Sequence, residues 1–188
     1  MRSVILTLIA LYAVSSSATV QQKDVLIYNG NTYPLQEYYL EAYFECYPEL
    51  RPKTMSVSSD LWRGYVAFFT VINKKIYLVD LQIRVKDENA KETFATTWKS
   101  VFKEFSPDVD EFPVDWIDDI IVLPHGEPLD YEQGFGIAYS EYELLEVKHG
   151  ELLNSKKVSL EAYKKVVNKW HVFLRKKDLL LLKKKLID

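Results

Sequence analysis

The chain has 188 residues, 48% hydrophobic and 14% aromatic, with six glycines, seven prolines, one cysteine and a formal net charge of −3. That is ample apolar material for a core and excludes disordered and collagen-like classes, while a lone cysteine excludes an intrachain disulfide and a thiolate zinc cluster. Packing must hold the fold, and a net negative charge argues against nucleic acid as a partner.

Arg2, the apolar run Val4 to Val14 and the small residues Ser15 to Ala18 follow the order of a secretion signal, with cleavage expected after Ala18. The run is too short to span a bilayer. The chain is therefore expected to be exported, periplasmic or extracellular, with residues 1–18 removed and 19–188 forming one domain.

Val25 to Tyr28 is a β-rich run ended by the turn pair Asn29-Gly30, which predicts an opening strand. From Glu37 to Tyr47 the period changes: Tyr39, Tyr43 and Tyr47 recur every fourth residue beside Leu40 and Phe44, predicting a helix closed by Pro48 and Pro52. Gly64 to Ile72 and Lys75 to Val85 predict an antiparallel hairpin about Asn73-Lys74. Trp98, Val101, Phe102 and Phe105 fall at helical spacing, predicting a helix from about Thr96 to Phe105 with Trp98 buried. Ile120 to Leu123 reads as a strand, and Pro124, Gly126 and Pro128 predict a loop after it. Tyr142 to Lys148 and Glu151 to Lys157 flank His149-Gly150 as a second hairpin.

Ser159 is placed to cap a final helix whose apolar stripe runs through Leu160, Tyr163, Val166, Val167, Trp170, Phe173 and Leu174. The expected class is α+β: a single domain, mainly antiparallel sheet with packed helices, including a long C-terminal helix from about 159. Charge divides there. Thr19 to Val158 holds 14 basic and 24 acidic residues, a balance of −10, whereas Ser159 to Asp188 holds 9 basic and 3 acidic, a balance of +6. The basic tail is expected to dock on its own acidic body, and membrane contact through it is not expected because its leucine block, Leu179 to Leu182, is short.

Leu61-Trp62-Arg63-Gly64-Tyr65, Asp115-Trp116-Ile117, Pro124-His125-Gly126, Tyr131, Gly134-Phe135-Gly136 and Tyr139, with the lysine-rich C-terminal segment, resemble in order and spacing an uncharacterised family of exported bacterial proteins. The likeness covers roughly Val25 to Lys177, and it departs at Glu132 and Gln133, where that family often has a histidine and a small or apolar residue. It implies one exported domain and brings no activity.

Carboxylates are the commonest candidates for chemistry in this sequence. Asp115, Asp118, Asp119, Glu127, Asp130 and Glu132 lie within 18 residues and are the residue type a glycosidase needs across a cleft, but a solvated acidic rim is the commoner meaning of such a run. The stretch lacks the alternating ligands and central glycine of a helix-loop-helix calcium site. His125, His149 and His171 are scattered without a paired spacing, no Gly-x-Ser-x-Gly elbow occurs, and Gly134-x-Gly136 reads as a bend or bulge. No cofactor or metal is expected. Cys46, without a nearby cation, reads as a small buried filler.

Trp62-Arg63 at a strand start suits either an internal arginine–carboxylate pair or a stacking surface, and Tyr131, Phe135 and Tyr139 suit an aromatic platform. The candidate ligand-binding residues are Trp62, Arg63, Trp116, His125, Tyr131, Phe135 and Tyr139. The expected function is an exported, non-enzymatic binding protein with a protein or carbohydrate partner, its narrower form an inhibitor or immunity-type protein acting on a partner protein. The alternative is a small extracytoplasmic hydrolase of a carbohydrate or envelope polymer, using the loop carboxylates.

Overall fold

The computed structural model describes residues 21–54, 58–92, 94–132 and 136–167. The expected signal at 1–18 and the stripe residues Trp170, Phe173 and Leu174 lie outside them, as do Gly134 and Phe135.

The elements in chain order are β1 (Val25–Tyr28), β2 (Asn31–Pro34), α1 (Tyr39–Cys46), a one-turn 3-10 helix (Pro48–Leu50), β3 (Tyr65–Ile72), β4 (Lys75–Lys86) and β5 (Thr96–Ser100). There follow α2 (Phe102–Phe105), β6 (Phe112–Pro113), β7 (Asp119–Glu132), β8 (Gly136–Lys148), β9 (Glu151–Ser159) and α3 (Leu160–Val167). Besides the antiparallel β7–β8 pair, three hairpins each turn at two residues with positive φ: Asn29 and Gly30, Asn73 and Lys74, His149 and Gly150. Two successive positive φ values match the right-handed twist of the flanking strands, so these pairs direct each strand back onto its neighbour.

The strands follow the order β2-β1-β3-β4-β9-β8-β7, with β5 and β6 also paired to β4. β1 runs parallel to β3, and the remaining pairings are antiparallel. β4 meets β9 at the Lys75–Glu151 register alone, reinforced by Ile76 N–H to the Gly150 carbonyl (2.8 Å) and Leu152 N–H to the Lys74 carbonyl (2.7 Å). Across this narrow joint, Ile121, Leu123, Leu145 and Val147 of β7 and β8 share one core with Leu26, Phe69, Leu78 and Leu81. Alternate residues of the same strands, Ile120, Val122, Tyr142 and Leu144, face the other way and pack with Leu160, Ala162 and Tyr163. The period-two alternation thus places β7 and β8 between the main core and α3. α3 begins as expected, with Ser159 Oγ accepting from Ala162 N–H at 3.3 Å, and Tyr163 stacks on Tyr142.

The architecture corrects the expected class. Half of the described residues are strand and 16% helical, so the domain is mostly β, with three short helices and no long C-terminal helix among the described residues. Two local misreadings account for much of this. The spacing from Trp98 to Phe105 spans two elements: Thr96 to Ser100 extends along β4 as a strand, and Val101, Phe102 and Phe105 alone carry the helical burial. Trp98 is 42% exposed on that strand rather than buried in a helix. Likewise, Pro124, Gly126 and Pro128 do not end β7, which continues to Glu132 through register shifts between His125 and Pro128 and between Pro128 and Tyr131. β7 closes one end of the sheet path, where proline costs no second ladder and the shifts absorb the irregular positions.

Candidate functional site

Buried and exposed chemistry separate at the turn before β3. Leu61 and Arg63 are buried, while Trp62 between them is 54% exposed. Leu61 N–H bonds the Ser58 carbonyl and Gly64 N–H the Leu61 carbonyl, both at 2.9 Å, and Gln22 N–H bonds the Asp60 carbonyl at 2.8 Å. The exposed indole therefore rises from an anchored backbone.

On the inner side, Arg63 Nη1 donates to Asp24 Oδ1 and Nη2 to the Gln22 carbonyl, each at 2.8 Å, and its guanidinium centre lies 3.7 Å from the Tyr38 ring centroid. Ala67 N–H adds a bond to the same Asp24 oxygen at 2.9 Å. Burial pushes the Asp24 carboxyl up despite Arg63 opposite it, and its Oδ2 has no hydrogen-bond partner. Beside this pair Arg51 forks onto Glu41 at 3.2 and 2.8 Å, and Tyr65 Oη donates to Glu41 at 2.6 Å. Burial alone would raise Glu41, but the bonds from Arg51 and Tyr65 outweigh it and hold the carboxyl below its ordinary value. Burial and the Glu41 bond push the Tyr65 phenol far up. These groups hold one another, so Arg63 takes the internal-pair role that sequence reading weighed against a stacking surface.

On the outer side, Arg84 of β4 forks onto Asp60 at 3.0 and 2.8 Å and also donates to Ser58 Oγ at 2.9 Å. The Arg84 and Ser58 bonds hold Asp60 far below the usual carboxylate range. The Arg84 guanidinium centre lies 5.1 Å from the Trp98 ring centroid. Asp60, Arg84 and Trp98 are therefore connected at the surface, and the exposed Trp62 follows Asp60 by two residues in the chain.

The other predicted residues lie elsewhere. Trp116 is half-buried, stacked on Tyr43 at 4.7 Å, with Nε1 donating to the Tyr39 carbonyl at 2.9 Å, which is a packing role. His125 and Tyr139 line an open cleft of about 360 Å³ between β2 and β7, facing Asn31, Thr32 and Tyr33. Lys157 Nζ lies 2.8 Å from His125 Nε2. The side chains of Tyr131 and Phe135 lie outside the described residues. Cys46 is exposed rather than a buried filler. Of the acidic run, Asp119 is buried and accepts from Tyr39 Oη at 2.8 Å, Asp118 accepts from the His149 N–H, Asp115 lies against Gly150, and Glu127 N–H bonds Ser140 Oγ at 3.0 Å, while the side chains of Asp130 and Glu132 lie outside the described residues. None of the four described carboxylates lines the cleft. Among the described residues, no three His, Cys, Asp or Glu side chains gather to hold a metal, and no helix is long and apolar enough to cross a membrane.

Sequence reading singled out Trp62 but missed Asp60, Arg84 and the exposed Trp98. The available signal was the polar alternation of Gln82, Arg84 and Lys86, which marks a solvent-facing side of β4. Compared with protein-family models, with curated proteins and with solved structures, the chain matches none.

Proposed function

We propose that this chain is an exported, non-enzymatic binding protein that engages a partner protein through the surface of Trp62, Asp60, Arg84 and Trp98. The observation that carries this reading is a locked Arg84–Asp60 fork with the exposed Trp98 against its guanidinium, and a second exposed indole, Trp62, two residues along the chain from Asp60. Tryptophan and arginine dominate the energetics of protein interfaces, and side chains already fixed lose little entropy on docking. The ion pair is satisfied before binding, so a partner covering it leaves no unpaired charge. The alternative hydrolase needs carboxylates across a cleft, and against it Asp115, Asp118, Asp119 and Glu127 do not line the cleft at His125. An inhibitor or immunity-type role is the narrower form of the same reading, in which this rigid face occludes a working surface of its target.

The test is site-specific photocrosslinking in the cells that make the protein. A photoreactive residue replaces Trp62, with Leu153, exposed on β9, as the control position. The reading expects one dominant adduct with a different protein from position 62, reduced at least about tenfold by Arg84→Ala, because a hot-spot truncation costs 2 kcal/mol or more. Equal adducts from both positions, adducts with carbohydrate, or none from position 62 would refute it.

A further inference from the structure

The outer edge of β5 is unusual for a chain with this much sheet. Its five residues, Thr96 to Ser100, are all exposed, and its one strand partner among the described residues is β4. Its register assigns every backbone group. Val101 N–H bonds the Leu81 carbonyl at 2.7 Å, and Asp87 N–H bonds the Ala95 carbonyl at 2.9 Å. With Ile83 opposite Lys99 and Val85 opposite Thr97, the inward, hydrogen-bonded positions of β5 are 97 and 99. The N–H and C=O groups of Thr96, Trp98 and Ser100 consequently face away from β4. A flat edge with three free donors and three free acceptors is a template for another strand.

We infer that two copies of this chain associate through this edge, β5 against β5 antiparallel, with Trp98 opposite Trp98 on a two-fold axis. This concerns association of the chain with itself and goes beyond the partner reading, since it stands whether or not Trp62 contacts another protein. The sequence of the strand is what commits the edge to a second copy. In this register the outward groups of Trp98 meet those of its mate, and Thr96 meets Ser100 at both ends, so all six outward groups on each strand are satisfied.

On one face the two indoles become cross-strand neighbours, and Arg84 already lies against each one, giving a row of guanidinium, indole, indole, guanidinium. On the opposite face each Lys99 stands beside Thr97 of the other copy in a close, non-hydrogen-bonded pair, so no like charges meet. Lys99 is in addition neutralised within its own copy by Glu104 at 2.9 Å. Any other centre of symmetry on this strand forfeits part of this: centring on 97 leaves the outward groups of Ser100 without a partner in β5, and centring on 99 does the same to Thr96 and places the two lysines opposite each other.

Sedimentation velocity of the full secreted chain across a concentration series reads the result, with near-UV circular dichroism confirming that each variant is folded. The native chain is expected to show a monomer–dimer equilibrium. Trp98→Glu leaves each monomer with a carboxylate beside Arg84 but sets two carboxylates across the axis, and it should weaken the dimer at least about tenfold. Thr97→Glu places a carboxylate opposite Lys99 of the other copy twice per dimer and should tighten association about 5- to 30-fold at low salt, while Thr97→Lys should weaken it by a similar factor. A chain monomeric at every concentration, or a dimer indifferent to the charge at positions 97 and 98, overturns the inference.

Discussion

Replacing Arg63 by methionine removes the cation from a fully buried ion pair. Asp24 and Arg63 have side chains 0% and 1% exposed. The substitution takes from Asp24 its charge-assisted bond, leaves the Gln22 carbonyl without its donor, and removes the guanidinium from the Tyr38 ring. Methionine fills much of the volume, so the loss is chiefly that of an uncompensated buried carboxylate, about 3 to 5 kcal/mol at pH 7. Urea denaturation followed by tryptophan fluorescence measures it.

The pH dependence separates electrostatics from repacking. Burial already raises Asp24 above 3.8 with Arg63 present, and without Arg63 the Ala67 N–H bond is left to oppose that burial without a cation. A carboxyl whose folded pKa exceeds its unfolded value binds more protons in the native state between the two, so stability falls as pH rises through that window. The deficit of Arg63→Met relative to the native chain should therefore be largest at pH 7 and shrink as pH falls through the folded pKa toward 3.8. Adding Asp24→Asn should recover about half of the loss or more and abolish the pH dependence of the deficit. A deficit below about 1 kcal/mol at pH 7, or one unchanged at about pH 4.5, would refute the reasoning.

Gly150→Ala should destabilise by at least about 2 kcal/mol, because at φ +69° the added Cβ falls 2.5 Å from the Val114 carbonyl oxygen; Gly30→Ala, at φ +76° with open space around it, should cost about 1 kcal/mol, and equal losses in thermal melts would contradict this. Lys74, at φ +65° in the β3–β4 turn, bears the same backbone strain without being glycine, so Lys74→Gly should stabilise by about 1 kcal/mol in the same assay. Trp98→Ala, measured where the chain is monomeric, should cost about 1 kcal/mol, the size of an exposed cation–π contact; a loss of 3 kcal/mol would return the ring to a core. Glu41, held below its ordinary value of 4.5, contributes stability that is present above 4.5 and lost as pH falls through its folded pKa. Glu41→Gln should accordingly cost about 1 to 2 kcal/mol at pH 7 in urea titrations, with the difference fading in acid.

The parts of the fold legible in the sequence are those whose instructions are local. Asn29-Gly30, Asn73-Lys74 and His149-Gly150 each lie within two residues of the strands they join, and all three turns form where the residues indicated. α1 was legible because Tyr39, Leu40, Tyr43 and Phe44 bring their period with them and bury the matching face against Phe69, Tyr65 and Phe105. The segment from Thr96 to Phe105 was not, because its apolar spacing fits a helix equally well. What decides it is the pairing of Gln82 to Lys86 with Thr96 to Ser100, a contact between segments that no single-segment period encodes. β7 failed for a related reason: a proline excludes a central strand, and whether a strand is central is settled by the whole sheet.

The candidate surface shows the same division one level higher. Arg63 and Asp24 are 39 residues apart, Asp60 and Arg84 are 24 apart, and Arg84 meets Trp98 only because β5 is laid beside β4 in one register. Composition offered many tryptophans, tyrosines and arginines, with nothing to say which face solvent. A one-residue change in the β4–β5 register would move Trp98 to the opposite face from Arg84, dissolving the indole–guanidinium contact and changing which backbone groups meet the free edge. The partner surface and the proposed self-association thus rest on one physical feature, the register of a five-residue strand. Arg84 and Trp98 take part in both, whereas Thr97 lies on the opposite face, so a charge variant at 97 separates the two: it should move association of the chain with itself and leave capture of a different protein unchanged.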